Sequence, residues 1–176
     1  MGNKDINEAT KEAIYIALLQ LMKKRDFQKI TITDTTKRAG VSRMAFYRNF
    51  QSKGEILTNR LDELFKEYYE EILSKEVPSP YDFSVSFFIY FRNHNQLIKA
   101  MLQAQLHTEL IPKFNQYLEN IYTDIYKNRS INSYEIKFLV GGILNILISW
   151  IESNMKESNE DMAKIIERFE TQNNLR

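Results

Sequence analysis

The stretch Ile30–Lys53, ITITDTTKRAGVSRMAFYRNFQSK, holds two short helix-like patterns joined at a single glycine, with basic and aromatic residues crowded after the joint. Thr31 followed three residues later by Asp34 is a capping-box-like start. The hydroxyl accepts from an exposed backbone amide, and the acid favours the positive end of the helix. This predicts a helix over 32–39. Gly40 can take the left-handed conformation that stops it, Val41 turns inward, and Ser42 is a good N-cap for a second helix over 43–49.

A short helix, a glycine turn and a second short helix make the helix-turn-helix arrangement, whose second helix lies in the major groove with its first residues toward base edges. The residue types follow from that geometry. Ala39 is small where the helices cross, and Val41 and Phe46 plug the gap between them. Arg43, Met44, Ala45, Tyr47, Arg48 and Asn49 are left facing outward. An arginine such as Arg43 can reach guanine O6 and N7 together, and Met44 or Ala45 can touch thymine methyls. Ser42, Tyr47, Arg48, Asn49 and Lys53, the last at the amide end of the next helix, suit phosphates, which set register without reading sequence. The plain alternative is an ordinary helical corner.

The charge distribution bears on that choice. Residues 1–55 carry 11 lysines and arginines against 6 acids, and residues 56–176 carry 13 against 17, under an overall charge of +1. A basic module beside an acidic body points to a polyanionic partner for the module alone, although a solvated face carries the same excess.

Outside this stretch, five glycines and three prolines in 176 residues are too few for the turns of a sheet protein, and apolar residues recur at spacings of three and four. The fold is expected to be all-α, with about nine helices. Ile14, Ala17, Leu18 and Leu21 mark a first helix that ends in KKRD. A long fourth helix opens at Lys53 and closes near Leu73, joining the three-helix N-terminal domain (1–55) to a helical body (56–176). SKEVPSP, residues 74–80, is the linker candidate, and Ser79 before Pro80 is a helix start. Further helices are expected near 80–92, 94–105, 108–127, 132–155 and 159–172, the last two opening on the pairs Asn132 with Glu135 and Ser158 with Asp161.

Several classes of function are disfavoured. The chain has no cysteine, which removes disulfides, thiolate zinc sites and cysteine nucleophiles and fits a reducing cytoplasm. MGNKDINEAT lacks the apolar core of a signal peptide, and Ile6 stands where a myristoylation motif needs Ser or Thr. The most apolar run, Phe138 to Ile151, is shorter than the roughly 18 to 20 residues that span a bilayer, so it reads as a buried helix, with no membrane partner. His94 and His107 lie in no metal-binding helical motif, and the glycines form neither a phosphate loop nor a dinucleotide fingerprint. No enzyme, metal or cofactor is expected.

TITDTTKRAGVSRMAFYRNFQSKGEIL resembles the DNA-binding domain of the TetR family of bacterial transcriptional regulators, whose pattern is T-V-x-D-I-A-x-x-A-G-V-S-x-x-x-[LF]-Y-x-[HY]-F-x-S-K-x-x-L; the likeness covers about residues 8–58. The resemblance implies base contacts from Arg43, Met44 and Ala45, phosphate contacts from Tyr47 and Lys53, and Thr31 near the backbone. Thr33 stands where many members carry a base-reading arginine, and its shorter side chain reduces that reach. Asn49 replaces the commoner His or Tyr. Thr35 replaces an Ile or Leu, and its hydroxyl is expected to bond back to the Thr31 carbonyl at a cost of about 1 kcal/mol in packing.

In that family the remaining chain forms a body that dimerises and often binds a small effector, and residues 134–169 resemble a Firmicutes-type subgroup. Gly141 and Gly142 permit close helix approach, while Phe138, Ile146 and Trp150, then Met162, Ile165, Ile166 and Phe169, form stripes fit for a four-helix dimer interface. The alternative is burial of these stripes within one chain. Candidate effector contacts are Phe65, Tyr68, Phe87, Phe88 and Phe91, with Met101, Gln105, Phe114 and Tyr117, although aromatics at such spacing also build ordinary cores. The expected partners are therefore a palindromic double-stranded operator, a second copy of the chain and a small-molecule effector. The expected function is a homodimeric repressor released by that effector, the alternative being a co-regulator that works through a protein partner.

Overall fold

The computed structural model describes residues 3–73, 79–125 and 132–172. The described residues form nine α-helices and one 3-10 turn and contain no strand. The helices are α1 (Asn3–Met22), α2 (Ile32–Ala39), α3 (Arg43–Asn49), α4 (Lys53–Leu73), α5 (Pro80–Asn93), α6 (Asn95–Gln103), α7 (His107–Ile125), α8 (Ser133–Glu152) and α9 (Asn159–Gln172), with the 3-10 turn at Phe27–Lys29. The linker candidate at 74–78 and the expected end of the seventh helix at 126–127 lie outside the described residues.

The chain divides into two compact units, residues 1–63 with 96–109, and residues 64–95 with 110–176. In the first, α1 packs on α2 and α3. It buries Ile14, Ala17, Leu18 and Met22 against a core that holds Phe27, Ile30, Phe46, Ile56 and Leu57. Leu97, Ile98 and Met101 of α6 are also buried in this unit. Phe46 alone, fully buried, stabilises the unit by about 2–3 kcal/mol.

In the second unit α5 packs on α9, and a chain of aromatic rings fills the interior. Arg92 ties its parts together: Nε donates to Asn159 Oδ1 at 2.8 Å, Nη1 to the Met155 carbonyl at 3.1 Å and Nη2 to the Glu157 carbonyl at 2.7 Å. The same guanidinium stacks 4.5 Å from the centre of the Trp150 ring.

Two helices stop earlier than their apolar pattern suggests. α6 ends at Gln103 because Gln105 turns left-handed (φ 60°), which lets the Leu106 amide donate to the Met101 carbonyl at 3.0 Å. α8 ends at Glu152, with Asn154 and Met155 left-handed and the Met155 amide on the Trp150 carbonyl at 2.8 Å. Neither terminus has the glycine that usually marks such a stop. The helix starts follow their signals: Ser79 accepts from the Asp82 amide, Asn132 and Glu135 close a capping box, and Ser158 accepts from the Asp161 amide.

The apolar run 138–151 lies within the 20-residue helix α8. By length and composition α8 could cross a membrane. Leu139, Val140, Ile143, Leu144, Leu147, Trp150 and Ile151 are nevertheless buried, as in the core helix of a folded unit.

Candidate functional site

α2 is held at its start by reciprocal bonds. The Thr31 hydroxyl accepts from the Asp34 amide at 3.0 Å, and the Thr31 amide donates to Asp34 Oδ2 at 3.0 Å. These bonds, joined by Arg25 at 3.3 Å, hold the Asp34 carboxyl below its ordinary pKa. Thr35 is fully buried, and its hydroxyl donates to the Thr31 carbonyl at 3.1 Å, the back-bond its side chain was expected to make. Thr36 is 2% exposed and repeats the device on the Thr33 carbonyl at 3.2 Å. Gly40 then takes φ 69°, a conformation that would cost any side chain about 1–2 kcal/mol.

Ser42 accepts from the Ala45 amide at 3.0 Å and starts α3, whose Phe46 turns fully into the core. The opposite face is presented to solvent: Arg43 and Arg48 are exposed, Met44 is 73% exposed and Tyr47 50%. Arg43 and Tyr47 lie one turn apart, with the guanidinium 5.9 Å from the Tyr47 ring centre. Thr33, Ala45 and Asn49 are half-buried. The fold therefore gathers Arg43, Met44, Tyr47 and Arg48 on one outer face of a single short helix, which is how a recognition helix meets a groove.

Three of the phosphate candidates already use their side-chain donors within the chain. The Asn49 amide donates to the Ala45 carbonyl at 2.8 Å, and the Thr31 hydroxyl also donates to Asp34 Oδ2 at 2.8 Å. The Lys53 ammonium donates to the Phe27 carbonyl at 2.7 Å and to the Ile30 carbonyl, and sits 4.5 Å from the Phe27 ring centre. Partial burial there lowers its pKa, an effect that the Asp34 charge opposes. The lysine of the Ser52-Lys53 pair gives no sign in sequence that its charge is turned inward.

In the second unit, Phe65, Tyr68, Phe87, Phe88, Phe91, Phe114 and Tyr117 are brought together. Phe65 stacks on Tyr117 at 4.5 Å and meets Phe114 edge-on at 4.6 Å. These rings largely fill one another's space, as core aromatics do. Met101 and Gln105 belong to the first unit, Met101 buried and Gln105 exposed. The Tyr68 side chain is fully buried, and burial pushes its pKa up, an effect that the Ser86 hydroxyl opposes.

Between α4 and α5 opens a cleft of about 340 Å³ lined, among the described residues, by Glu71 of α4 and by Asp82, Val85, Ser86, Ile89, Tyr90 and Asn93 of α5. Its α5 residues share one helical face, at spacings of three and four, but they mix acid, hydroxyl, apolar and amide side chains, so no apolar stripe or motif announced the cleft.

The dimer candidates fall into two groups. Phe138 is 69% exposed and Phe169 50%, Gly142 is exposed, and Gly141, Ile146 and Ile165 are half-buried. Trp150, Met162 and Ile166 are buried within the chain, Trp150 edge-on to Phe88 with its Nε1 donating to the Glu157 carbonyl at 3.3 Å. A Cβ added at Gly141 or Gly142 would meet open space, so nothing described in this chain calls for a glycine there. Tyr134, 78% exposed and one turn before Phe138, extends the outer stripe and was not singled out from the sequence.

Comparison with known proteins agrees with this geometry. The model of bacterial regulatory proteins of the tetR family matches residues 10–59, and that of a transcriptional regulator C-terminal region, TetR_C_8, matches residues 78–172. The uncharacterized HTH-type transcriptional regulator YxbF of Bacillus subtilis (strain 168) is 21% identical over 145 residues, which are 77% of this chain and 38% of that protein. The chain thus spans well under half the length of that curated relative. Among solved structures, a transcriptional regulator (TerR/AcrR family) from Aquifex aeolicus VF5 aligns over 93% of this chain and 98% of its own, with TM-score 0.63 and 19% identity. The dihydroxyacetone kinase operon activator DhaS aligns over 91% and 93%, with TM-score 0.61 and 18% identity. At such identities these two structures speak for the fold.

Proposed function

Because the chain belongs to the tetR family of bacterial transcriptional regulators, we propose that it is a cytoplasmic, homodimeric repressor that leaves a palindromic operator when a small effector binds its helical body. The DNA-binding domain in this reading is residues 1–55, and residues 56–176 serve dimerisation and effector binding. One observation carries it: α3 buries Phe46 and turns Arg43, Met44, Tyr47 and Arg48 outward together.

Arg43, Met44 and Ala45 are assigned to bases, with Thr33 as a short-reaching fourth. Ser42, Tyr47, Arg48 and Asn49, with Thr31 and Lys53, are assigned to phosphates. The dimer forms through the outer stripe of α8 and α9, where Phe138 and Phe169 face solvent and the space over Gly141 and Gly142 accepts another helix. Two copies then place their recognition helices about 34–36 Å apart, one turn of the duplex.

A second reading, a co-regulator that acts through a protein partner, is favoured by the internal bonds of Thr31, Asn49 and Lys53, which occupy donors that phosphates would use. Fluorescence anisotropy of the full chain on DNA from upstream of its own gene separates the two. Binding that weakens steeply with salt and is lost in Arg43→Ala and Tyr47→Ala supports the repressor reading. No salt-sensitive binding, with regulation intact in both variants, supports the co-regulator. The sign of regulation is read from a reporter in a deletion strain, an informative measurement because DhaS is named an activator.

A further inference from the structure

We propose that Met44 is an oxidation site and that its sulfoxide releases the chain from DNA. The chain has six methionines and no cysteine, so its sulfur meets oxidants only as thioether. Burial sorts these side chains sharply. Met101 is fully buried, Met22 and Met162 are 5% exposed, and Met155 is half-buried. Met1 lies outside the described residues. Among the described methionines, Met44 alone is open to solvent, at 73% exposed.

Its place in the fold gives that exposure a consequence. Met44 shares the outer face of α3 with Arg43, Tyr47 and Arg48, while Phe46 holds the helix in the core. Chemistry at this sulfur therefore alters the reading face and leaves the packing beneath it intact. A flexible thioether adapts well to the methyl groups on base edges. The sulfoxide is polar and chiral, and its oxygen must shed water to approach a methyl group that offers no donor in return.

The step requires a two-electron oxidant of the hypohalous class. A sulfur lone pair takes chlorine from hypochlorous acid, and hydroxide leaves. Water then attacks sulfur, chloride departs, and two protons pass to solvent, one of them neutralising the hydroxide. Sulfur is oxidised by two electrons and chlorine is reduced to chloride. Methionine sulfoxide reductase restores the thioether at the expense of thiols, so the change is reversible. The release from DNA rests on the assignment of Met44 to bases made above; the oxidation site itself does not.

The full chain is treated with one equivalent of hypochlorous acid, quenched with free methionine, and followed by peptide mass spectrometry and by anisotropy on its upstream DNA. Met44 is expected to gain oxygen before Met155 and before the buried Met22, Met101 and Met162. Affinity is expected to fall about tenfold, the worth of one good base contact, with helicity and melting temperature unchanged and with recovery after reductase treatment. Met44→Leu, compared with its own untreated sample, is expected to keep its affinity through the oxidant, and Met155→Leu to lose affinity as the parent does.

Oxidation of Met44 no sooner than the buried methionines overturns the proposal. Full affinity in chains that carry the Met44 sulfoxide also overturns it, as does an oxidant response in Met44→Leu equal to that of the parent. An untreated chain that does not bind DNA refutes the repressor reading and the release with it, while the mass spectra still decide the oxidation site.

Discussion

The Lys53 ammonium reaches back along the chain to donate to the Phe27 carbonyl at 2.7 Å, so the first residue of α4 closes over the turn that precedes α2. That bond helps to hold the helix-turn-helix together. Lys53→Met keeps most of the stem and removes the donors, and is expected to cost about 1.5–3 kcal/mol in urea unfolding, the range for charged hydrogen bonds. Unchanged stability with weakened DNA binding would restore Lys53 to a phosphate role alone.

Asp34 makes the same domain sensitive to acid. Its pKa is depressed by the Thr31 bonds, so its contribution to stability is fully present above the ordinary carboxylate value and is lost as pH falls through the lower folded value. Asp34→Asn is expected to be less stable than the parent at pH 7, with the gap narrowing below about pH 4, near the unfolded carboxylate pKa. Thermal melts between pH 2.5 and 7 measure this, and a gap independent of pH would count against it.

Thr35→Val tests a smaller effect. The Thr31 carbonyl that receives the Thr35 hydroxyl also receives the Thr35 amide at 3.1 Å, so removing the hydroxyl leaves that oxygen satisfied. Valine keeps the β-branched shape in a fully buried site. A gain of up to about 1 kcal/mol in chemical denaturation is expected, since burying a hydroxyl for a redundant bond returns little.

Two aromatic residues on α8 separate assembly from packing. Phe138→Asp, at a position 69% exposed, is expected to turn a dimer into a folded monomer by analytical ultracentrifugation with helicity unchanged. Trp150→Ala removes a ring already packed on Phe88 and Arg92 and is expected to destabilise the second unit by about 3–5 kcal/mol. A monomeric parent protein would refute the interface assigned to Phe138.

The helix-turn-helix could be read closely in advance because each of its boundaries has a local chemical cause: a hydroxyl and acid at Thr31 and Asp34, a glycine at 40, a serine at 42. The early ends of α6 and α8 could not, because Gln105, Asn154 and Met155 adopt left-handed backbone without the glycine that signals it, closed by local bonds onto the carbonyls of the last turn. The inward turn of Lys53 and the α4–α5 cleft were hidden for another reason. Each depends on which atoms meet between separate elements, and hydrophobic periodicity does not encode that. The stripes of α8 and α9 were visible, whereas their division into buried Trp150, Met162 and Ile166 and outward Phe138 and Phe169 required the packed helices.

Arg92 carries a consequence for how this chain can diverge. One guanidinium serves Asn159, two carbonyls of the turn after α8 and the face of Trp150, and the Trp150 indole shares the Glu157 carbonyl with it. Substitutions at 92 and 150 should therefore be strongly non-additive, with a coupling of about 0.5–3 kcal/mol. Mutational drift in α5 is then tied to drift in a turn some sixty residues away along the chain, and a lineage that loses the arginine gains little by keeping the tryptophan.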